Sequence, residues 1–271
     1  MSKPAFHQLS DEQIESFQRD GALPLRGVFA DWVDRLRTGV DRLEADPDRF
    51  INENSIEGEE GHFWNSYCNW QDVPEFKDFV ESSSTASIAA QAMKSSSAQM
   101  FHEHLVVKES GTSKDTPWHH DFPYYNVQGM QGISIWLALD PVSIDACVRF
   151  VAGSHRWGKL FQPRWFKDGG DYGFSDMETE SVPDIDGKPD DYTVLAWDCE
   201  PGDVVLFDFR TLHGTTAAQL TQRRRGFATR WLGDDMTYRE RPVKTSPDFP
   251  GINLTTGDHM REDWFPTIWK P

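Results

Sequence analysis

The sequence predicts a mainly β protein, a jelly-roll barrel with helices added at its N-terminal side. Three observations predict it. Helical periodicity is confined to about the first 98 residues. From about Gln99 onward, short apolar runs alternate with Gly, Pro and Asp clusters, the pattern of an all-β region. The 271 residues, 38% of them hydrophobic, suffice for one large β domain with a substantial core.

The elements follow in order. Ser10 with Gln13 three positions on is a capping-box pattern. Leu9, Ile14 and Phe17 supply the apolar face of the helix it starts, and Gly21 ends that helix. ALPLRGVF reads as a strand and its turn. Asp31 to Leu43 is a second helix, with Trp32, Val33, Leu36, Val40 and Leu43 as its stripe. Residues 46–61 are polar and read as loop. Val73 to Met93 reads as helix, with serine triplets at 82–84 and 95–97 that interrupt or end it. FHEHLVVK, GISIWLAL, CVRFVAG, YTVLAW, DVVLFDF and GFATRWL read as strands. Gln162 to Asp191 is polar and rich in Gly and Asp, and is expected to pass over the barrel mouth. The final residues are Pro-rich and are expected to wrap the barrel. The chain thus reads as one domain over 1–271, with a helical part to about 98, a jelly-roll core over about 99–235 and a C-terminal wrap over about 236–271.

The formal charge of −17 repels phosphate backbones and anionic lipid, so nucleic acid and membranes are not expected partners. It also disfavours a strongly anionic substrate, unless a local basic pocket overrides it. Three widely spaced cysteines imply neither a disulfide framework nor a zinc motif. With no apolar leader or bilayer-length apolar run, a cytoplasmic location is expected. Nothing in the sequence bears on oligomeric state.

The chemistry concentrates in two segments. TPWHHDFPYY places His119 and Asp121 two residues apart, which on a strand puts both on one face and His120 on the other. PGDVVLFDFRTLHG ends an alternating strand in His213. Two imidazoles and one carboxylate form the facial triad suited to Fe(II), leaving positions for a bidentate 2-oxo acid and dioxygen. Taken singly, H-x-D and a lone His are more often plain structural features; the pair in this order is the stronger signal. Eleven residues beyond His213 stands Arg224, which matches a carboxylate bidentately and keeps its charge when desolvated. It could hold the distal carboxylate of 2-oxoglutarate, with Thr215 adding a hydroxyl. The plainer alternative is that Arg223, Arg224 and Arg225 form a solvated turn. Strand alternation turns only alternate members inward, and spacing does not say which.

Several segments together resemble the phytanoyl-CoA dioxygenase family of Fe(II)/2-oxoglutarate oxygenases. They are LSDEQIESFQRDGALPLRGVF, LVVKESGTSKDTPWHHD, SIWLALDPV, FVAGSHRWG, and PGDVVLFDFRTLHG with RRGF after it. The resemblance implies a double-stranded β-helix, cupin-like fold. It assigns His119, Asp121 and His213 to iron, Arg224 to the co-substrate carboxylate, Thr215 to a hydroxyl beside it and Trp136 to the co-substrate's surroundings. Ala146 and Ala152 stand where Gly and Pro are usual, and GTTAAQLTQ lacks a common Asn; these touch loop geometry rather than chemistry. Halogenating relatives replace the carboxylate ligand with a small residue, so Asp121 favours hydroxylation of a small molecule with release of succinate and carbon dioxide.

Other residues compete for roles. His102 and His104 share a strand face with metal-like H-x-H spacing, and read more simply as core or cavity histidines. Lys108, on the same face, either reaches an anionic group in the pocket or leaves into solvent. Phe122, Tyr124 and Tyr125 follow Asp121 and are candidates for the substrate wall, or for packing. Arg230 shares a face with Arg224 in a regular strand, which makes it a substrate-carboxylate candidate beside the plainer reading of a surface ion pair. Phe63, Trp64, Asn69 and Trp70 read as a lid or as a staple of the helical part. Two other functions fit the same motifs: a jelly-roll protein that binds without turnover, and a cupin-type metalloenzyme that does not use 2-oxoglutarate.

Overall fold

Local signals set the helical part. In α1 (Asp11–Asp20) the Ser10 hydroxyl accepts from the Gln13 N–H, the Gln13 side chain accepts from the Ser10 N–H, and Gly21 at φ 77° closes the helix. The chain continues into β1 (Ala22–Leu25) and α2 (Val33–Glu44), which buries Val33, Leu36, Val40 and Leu43. These features belong to a computed structural model that describes residues 4–55, 58, 60–113, 115–163, 179–216, 220–242 and 244–271. The polar stretch expected as loop holds a one-turn helix, α3 (Pro47–Phe50), and a short strand, β2 (Asn52–Glu53), anchored by buried Phe50. A further strand, β3 (Phe63–Tyr67), follows where the sequence suggested a lid or staple. The helix expected over 73–93 is two helices, α4 (Pro74–Ser82) and α5 (Thr85–Met93). At the break Ser83 is extended and its hydroxyl bonds that of Thr85, a local alternative to helical pairing.

Strands dominate thereafter: β4 (Ala98–Lys108), β5 (Thr116–His119), β6 (Val127–Gln128), β7 (Gly132–Ala138), β8 (Arg149–Val151) and β9 (Val194–Ala196). β10 (Val204–Asp208), β11 (His213–Thr215), β12 (Arg224–Leu232), β13 (Thr237–Tyr238) and β14 (Thr267–Trp269) complete them. The major sheet runs β1-β10-β7-β12-β4-β3-β2, with β14 also on β4; the minor sheet runs β5-β11-β8-β9; β13 pairs β6. Every ladder between these strands is antiparallel. The fold is the expected jelly roll, but its two sheets do not close into a continuous barrel: β1 and β2 end the major sheet without bonding the minor one.

Period-two alternation divides the major sheet into two faces. Leu105, Val107, Ile133, Ile135, Leu137, Phe227 and Trp231 pack outward against Leu36, Val40, Phe76 and Phe79 of the helices. The other face, with His102, His104, Lys108, Trp136, Arg224 and Arg230, lines a cavity that residues of the minor sheet also line. At one end of the sandwich Ile252, Met260 and Phe265 pack with Phe101, Tyr125 and Phe209. Gln162 to Asp191 contains 164–178, and GTTAAQLTQ contains 217–219; these lie outside the described residues.

Candidate metal centre

β5 and β11 are neighbours in the minor sheet, and His119 is the register partner of His213. Each imidazole donates its Nδ1–H to a carbonyl two residues upstream, Pro117 at 2.8 Å and Thr211 at 2.9 Å. That bond orients each ring and turns its Nε2 toward Asp121. The two Nε2 atoms lie 3.6 and 3.7 Å from one oxygen of Asp121. The three ligand atoms all fall within 4.8 Å of one another, and all three residues are buried. Convergence of His119 and Asp121 does not come from a shared strand face. β5 stops at His119, and Asp121, with φ −70° and ψ −31°, opens a 3-10 turn over Phe122–Tyr124. His120 does point away, and its Nε2 accepts from the Phe161 N–H at 3.0 Å.

The electrostatics suit a cation. Burial alone would raise the Asp121 pKa, but the Arg230 guanidinium and the two imidazoles hold it well below the usual carboxylate value. Burial and then His119 push the His213 pKa down to about 3, so its lone pair is available at neutral pH. The second Asp121 oxygen is held by the Ser134 hydroxyl at 3.3 Å and faces Arg230 Nη2 at 3.6 Å. Two imidazoles and an anchored carboxylate converging on one point fit a divalent metal of the iron type.

The cavity beside these three residues has a volume of about 210 Å³. Its walls include Trp136, Lys108, Thr215, Arg224, Tyr124, Tyr125 and Arg230, all from the sequence-derived candidates. Of the arginine triplet, Arg224 points in. Arg225 forms a bidentate pair with Asp140 at 2.7 and 2.8 Å, and Arg223 pairs with Glu44 and Glu109. Arg224 is buried, its guanidinium lies 5.4 Å from the Trp136 ring centre, and its Nε has no hydrogen-bond partner. Burial lowers its pKa to about 10, which still leaves it charged. Lys108 is its register partner across β12 and β4, with the ammonium 4.9 Å from the Phe63 ring centre. The Thr215 hydroxyl accepts from the Thr116 N–H at 2.8 Å and keeps its own hydrogen to donate.

Two expectations are corrected. Phe122 does not line the cavity; the 3-10 turn carries its ring outward, where the Arg241 guanidinium lies 5.5 Å from its centre. Arg230 forms no surface pair. It is 6% exposed, faces Asp121, and its Nε donates to the Tyr125 hydroxyl, because β12 keeps its alternation as far as a register shift just past Arg230. His102, buried, and His104, half-buried, line the cavity and, among the described residues, stand outside the metal-holding group. The sequence reading missed Asn65 and Tyr67 as cavity walls; the alternation of Phe63, Asn65 and Tyr67 was the available signal. Asn69 and Trp70 form no lid over the cavity: their turn is tied to Glu103, whose carboxylate accepts from the Asn69 N–H at 2.6 Å.

Comparisons with known proteins agree with this geometry. The family described as phytanoyl-CoA dioxygenase (PhyH) matches over residues 17–226. No curated protein matches the chain by sequence. Among solved structures, the fold is similar to that of the non-haem α-ketoglutarate-dependent epimerase SnoN from nogalamycin biosynthesis, at 19% identity, 96% of each chain covered and TM-score 0.73. It is also similar to the α-ketoglutarate-dependent carbocyclase SnoK of the same biosynthesis, at 21% identity, 99% of this chain and 100% of that one covered, and TM-score 0.74. A third is EctD from S. alaskensis, solved with 2-oxoglutarate and 5-hydroxyectoine, at 20% identity, 85% and 79% covered, and TM-score 0.63. SnoN has also been solved with Fe3+ and α-ketoglutarate.

Proposed function

The chain belongs to the phytanoyl-CoA dioxygenase family, and from that premise we propose that it is an Fe(II)- and 2-oxoglutarate-dependent dioxygenase that hydroxylates a small-molecule metabolite. One observation carries the reading: a buried, charged Arg224 without a partner for its Nε stands in the same cavity as the His119, Asp121 and His213 cluster. A 2-oxo acid chelated at the metal would present its distal carboxylate to such a group.

When bound, iron and 2-oxoglutarate supply the oxidising chemistry, with dioxygen consumed and succinate and carbon dioxide released. The protein's share is positioning and a dry cavity. His119, Asp121 and His213 hold the metal. Arg224, braced on the Trp136 ring, holds the co-substrate, with Thr215 and Lys108 as further donors at that end. Tyr124 and Tyr125 wall the substrate side. The retained carboxylate ligand favours hydroxylation. SnoN and SnoK are an epimerase and a carbocyclase, so the mass of the product separates these outcomes: one added oxygen for hydroxylation, none for epimerisation. The three free cysteines support a cytoplasmic setting, and among the described residues no helix is long and apolar enough to cross a membrane.

Anaerobic addition of Fe(II) and 2-oxoglutarate should produce a metal-to-ligand charge-transfer band. Arg224→Ala should weaken 2-oxoglutarate binding by about tenfold to a hundredfold, the cost of one charged hydrogen-bonding partner. His213→Ala should lose both the band and succinate release. A wild type without the band would instead support a binding protein or a metalloenzyme that does not use 2-oxoglutarate.

A further inference from the structure

Arg230 raises a question that co-substrate binding does not answer. It lies six residues from Arg224 on the same face of β12, so the two Cα atoms stand about 20 Å apart. One five-carbon diacid at the metal cannot occupy both. Arg230 is buried, and among the described residues its carboxylate neighbour is Asp121, whose charge the metal would share. Its Nε donates to Tyr125 and its Nη2 lies 3.5 Å from His104 Nδ1, but Nη1 has no partner.

Two further buried polar atoms on this part of the wall also lack partners. His102, the register partner of Arg230, donates Nδ1–H to the Glu103 carbonyl at 3.1 Å and leaves Nε2 as an unused acceptor. The Asn65 amide and His104 Nε2 are hydrogen-bonded at 3.1 Å, and the other amide atom of Asn65 has no partner. Arg230, His102 and Asn65 all line the cavity. Buried polar atoms are rarely left unpaired, and each one costs the molecule its desolvation. Here one charged side chain and two neutral polar side chains line one space. A carboxylate satisfies the first, and an O–H or N–H on the same molecule satisfies the others. The cavity of about 210 Å³ must also hold the co-substrate, and it falls below the roughly 300–1,000 Å³ of sites for drug-sized ligands.

We propose that the substrate is a compact carboxylate bearing a hydroxyl or amino group, with Arg230 receiving the carboxylate and that group hydrogen-bonding His102 and Asn65. This rests on the oxygenase reading above, because it takes the Arg224 end to be filled by 2-oxoglutarate.

The test uses the protein with Fe(II) and saturating 2-oxoglutarate, without oxygen. Glycolate, glycine, acetate and acetamide are titrated while the charge-transfer band is followed. Glycolate or glycine should shift the band and saturate, acetate should bind more weakly, and acetamide should have no effect. Arg230→Gln should weaken glycolate and glycine by about tenfold to a hundredfold, and by more than it weakens 2-oxoglutarate. Asn65→Ala should erase the preference over acetate. The inference is overturned if acetamide binds as well as the carboxylates, if no probe shifts the band, or if the probes displace 2-oxoglutarate. Should Arg230→Gln fail to fold, the wild-type comparison of carboxylates with acetamide decides alone. Absence of the band before any probe is added would instead sink the oxygenase reading.

Discussion

At the scale of single residues, burial sets the protonation states on which the site depends. His102, His104 and His213 are all held below the ordinary imidazole value by burial first, and Arg230 adds to it for each. They present lone pairs rather than charge. Glu103 shows the same force with opposite sign. It lies on the other face of β4 from His102 and His104, where burial raises its pKa to about 7 although the Asn69 and Trp70 N–H groups oppose the rise. Between the ordinary value of 4.5 and about 7, the unfolded chain loses this proton while the folded chain keeps it. Stability should therefore fall as pH rises through that window. Glu103→Gln removes the titration, so the variant's stability should lose less between pH 4.5 and 8 by on the order of 3 kcal/mol. Urea denaturation of both proteins at the two pH values measures this, and parallel losses would contradict it.

At the scale of elements, β12 shows what the sequence made legible and what it hid. Its alternation announced that one set of residues faces inward, but not which set. The choice was made by partners far along the chain: Asp140 takes Arg225, while Glu44 and Glu109 take Arg223. No local rule names those carboxylates, so the inward turn of Arg224 was an alternative until the strands were paired. The triad was legible by residue type, yet its geometry came from a strand end and a 3-10 turn rather than from the i, i+2 face. Strand β3 was overlooked because it is five residues long and follows a polar stretch. Gly226 was not singled out, although a Cβ there would lie 2.3 Å from Trp136 Nε1. Its bare backbone lets the Trp136 ring lie against β12, where it meets Arg224. Gly226→Ala should displace that ring, cost about 1–3 kcal/mol as overpacking, and weaken 2-oxoglutarate binding while metal affinity holds. Parallel titrations of metal and co-substrate check this; equal loss of both would point to general unfolding of the site.

At the scale of the whole molecule, the minor sheet brings His119 and His213 and the major sheet brings Arg224, Trp136, Ser134 and Arg230, so on the proposed function a metal and its co-substrate would be held by residues of both sheets. The acidic surface implied by −17 encloses a cavity with cationic side chains on its wall, which is how a compact anion can be accepted by a protein that repels anions at long range. Ligands that bind only the folded chain stabilise it by mass action, about 2.7 kcal/mol at a hundredfold excess over Kd. For a chain of this size that raises Tm by about 5–10 °C. Thermal unfolding with Co(II) or Mn(II) as oxygen-inert substitutes for Fe(II) should show such a rise, reversed by chelator and absent in His119→Ala. 2-Oxoglutarate should add a second increment only when metal is present, because its two ends need both the metal and Arg224. In Arg224→Ala the first increment should persist and the second shrink. A co-substrate increment without metal would mean that 2-oxoglutarate is held by the cationic wall alone, and that the two sheets are not joined through the metal.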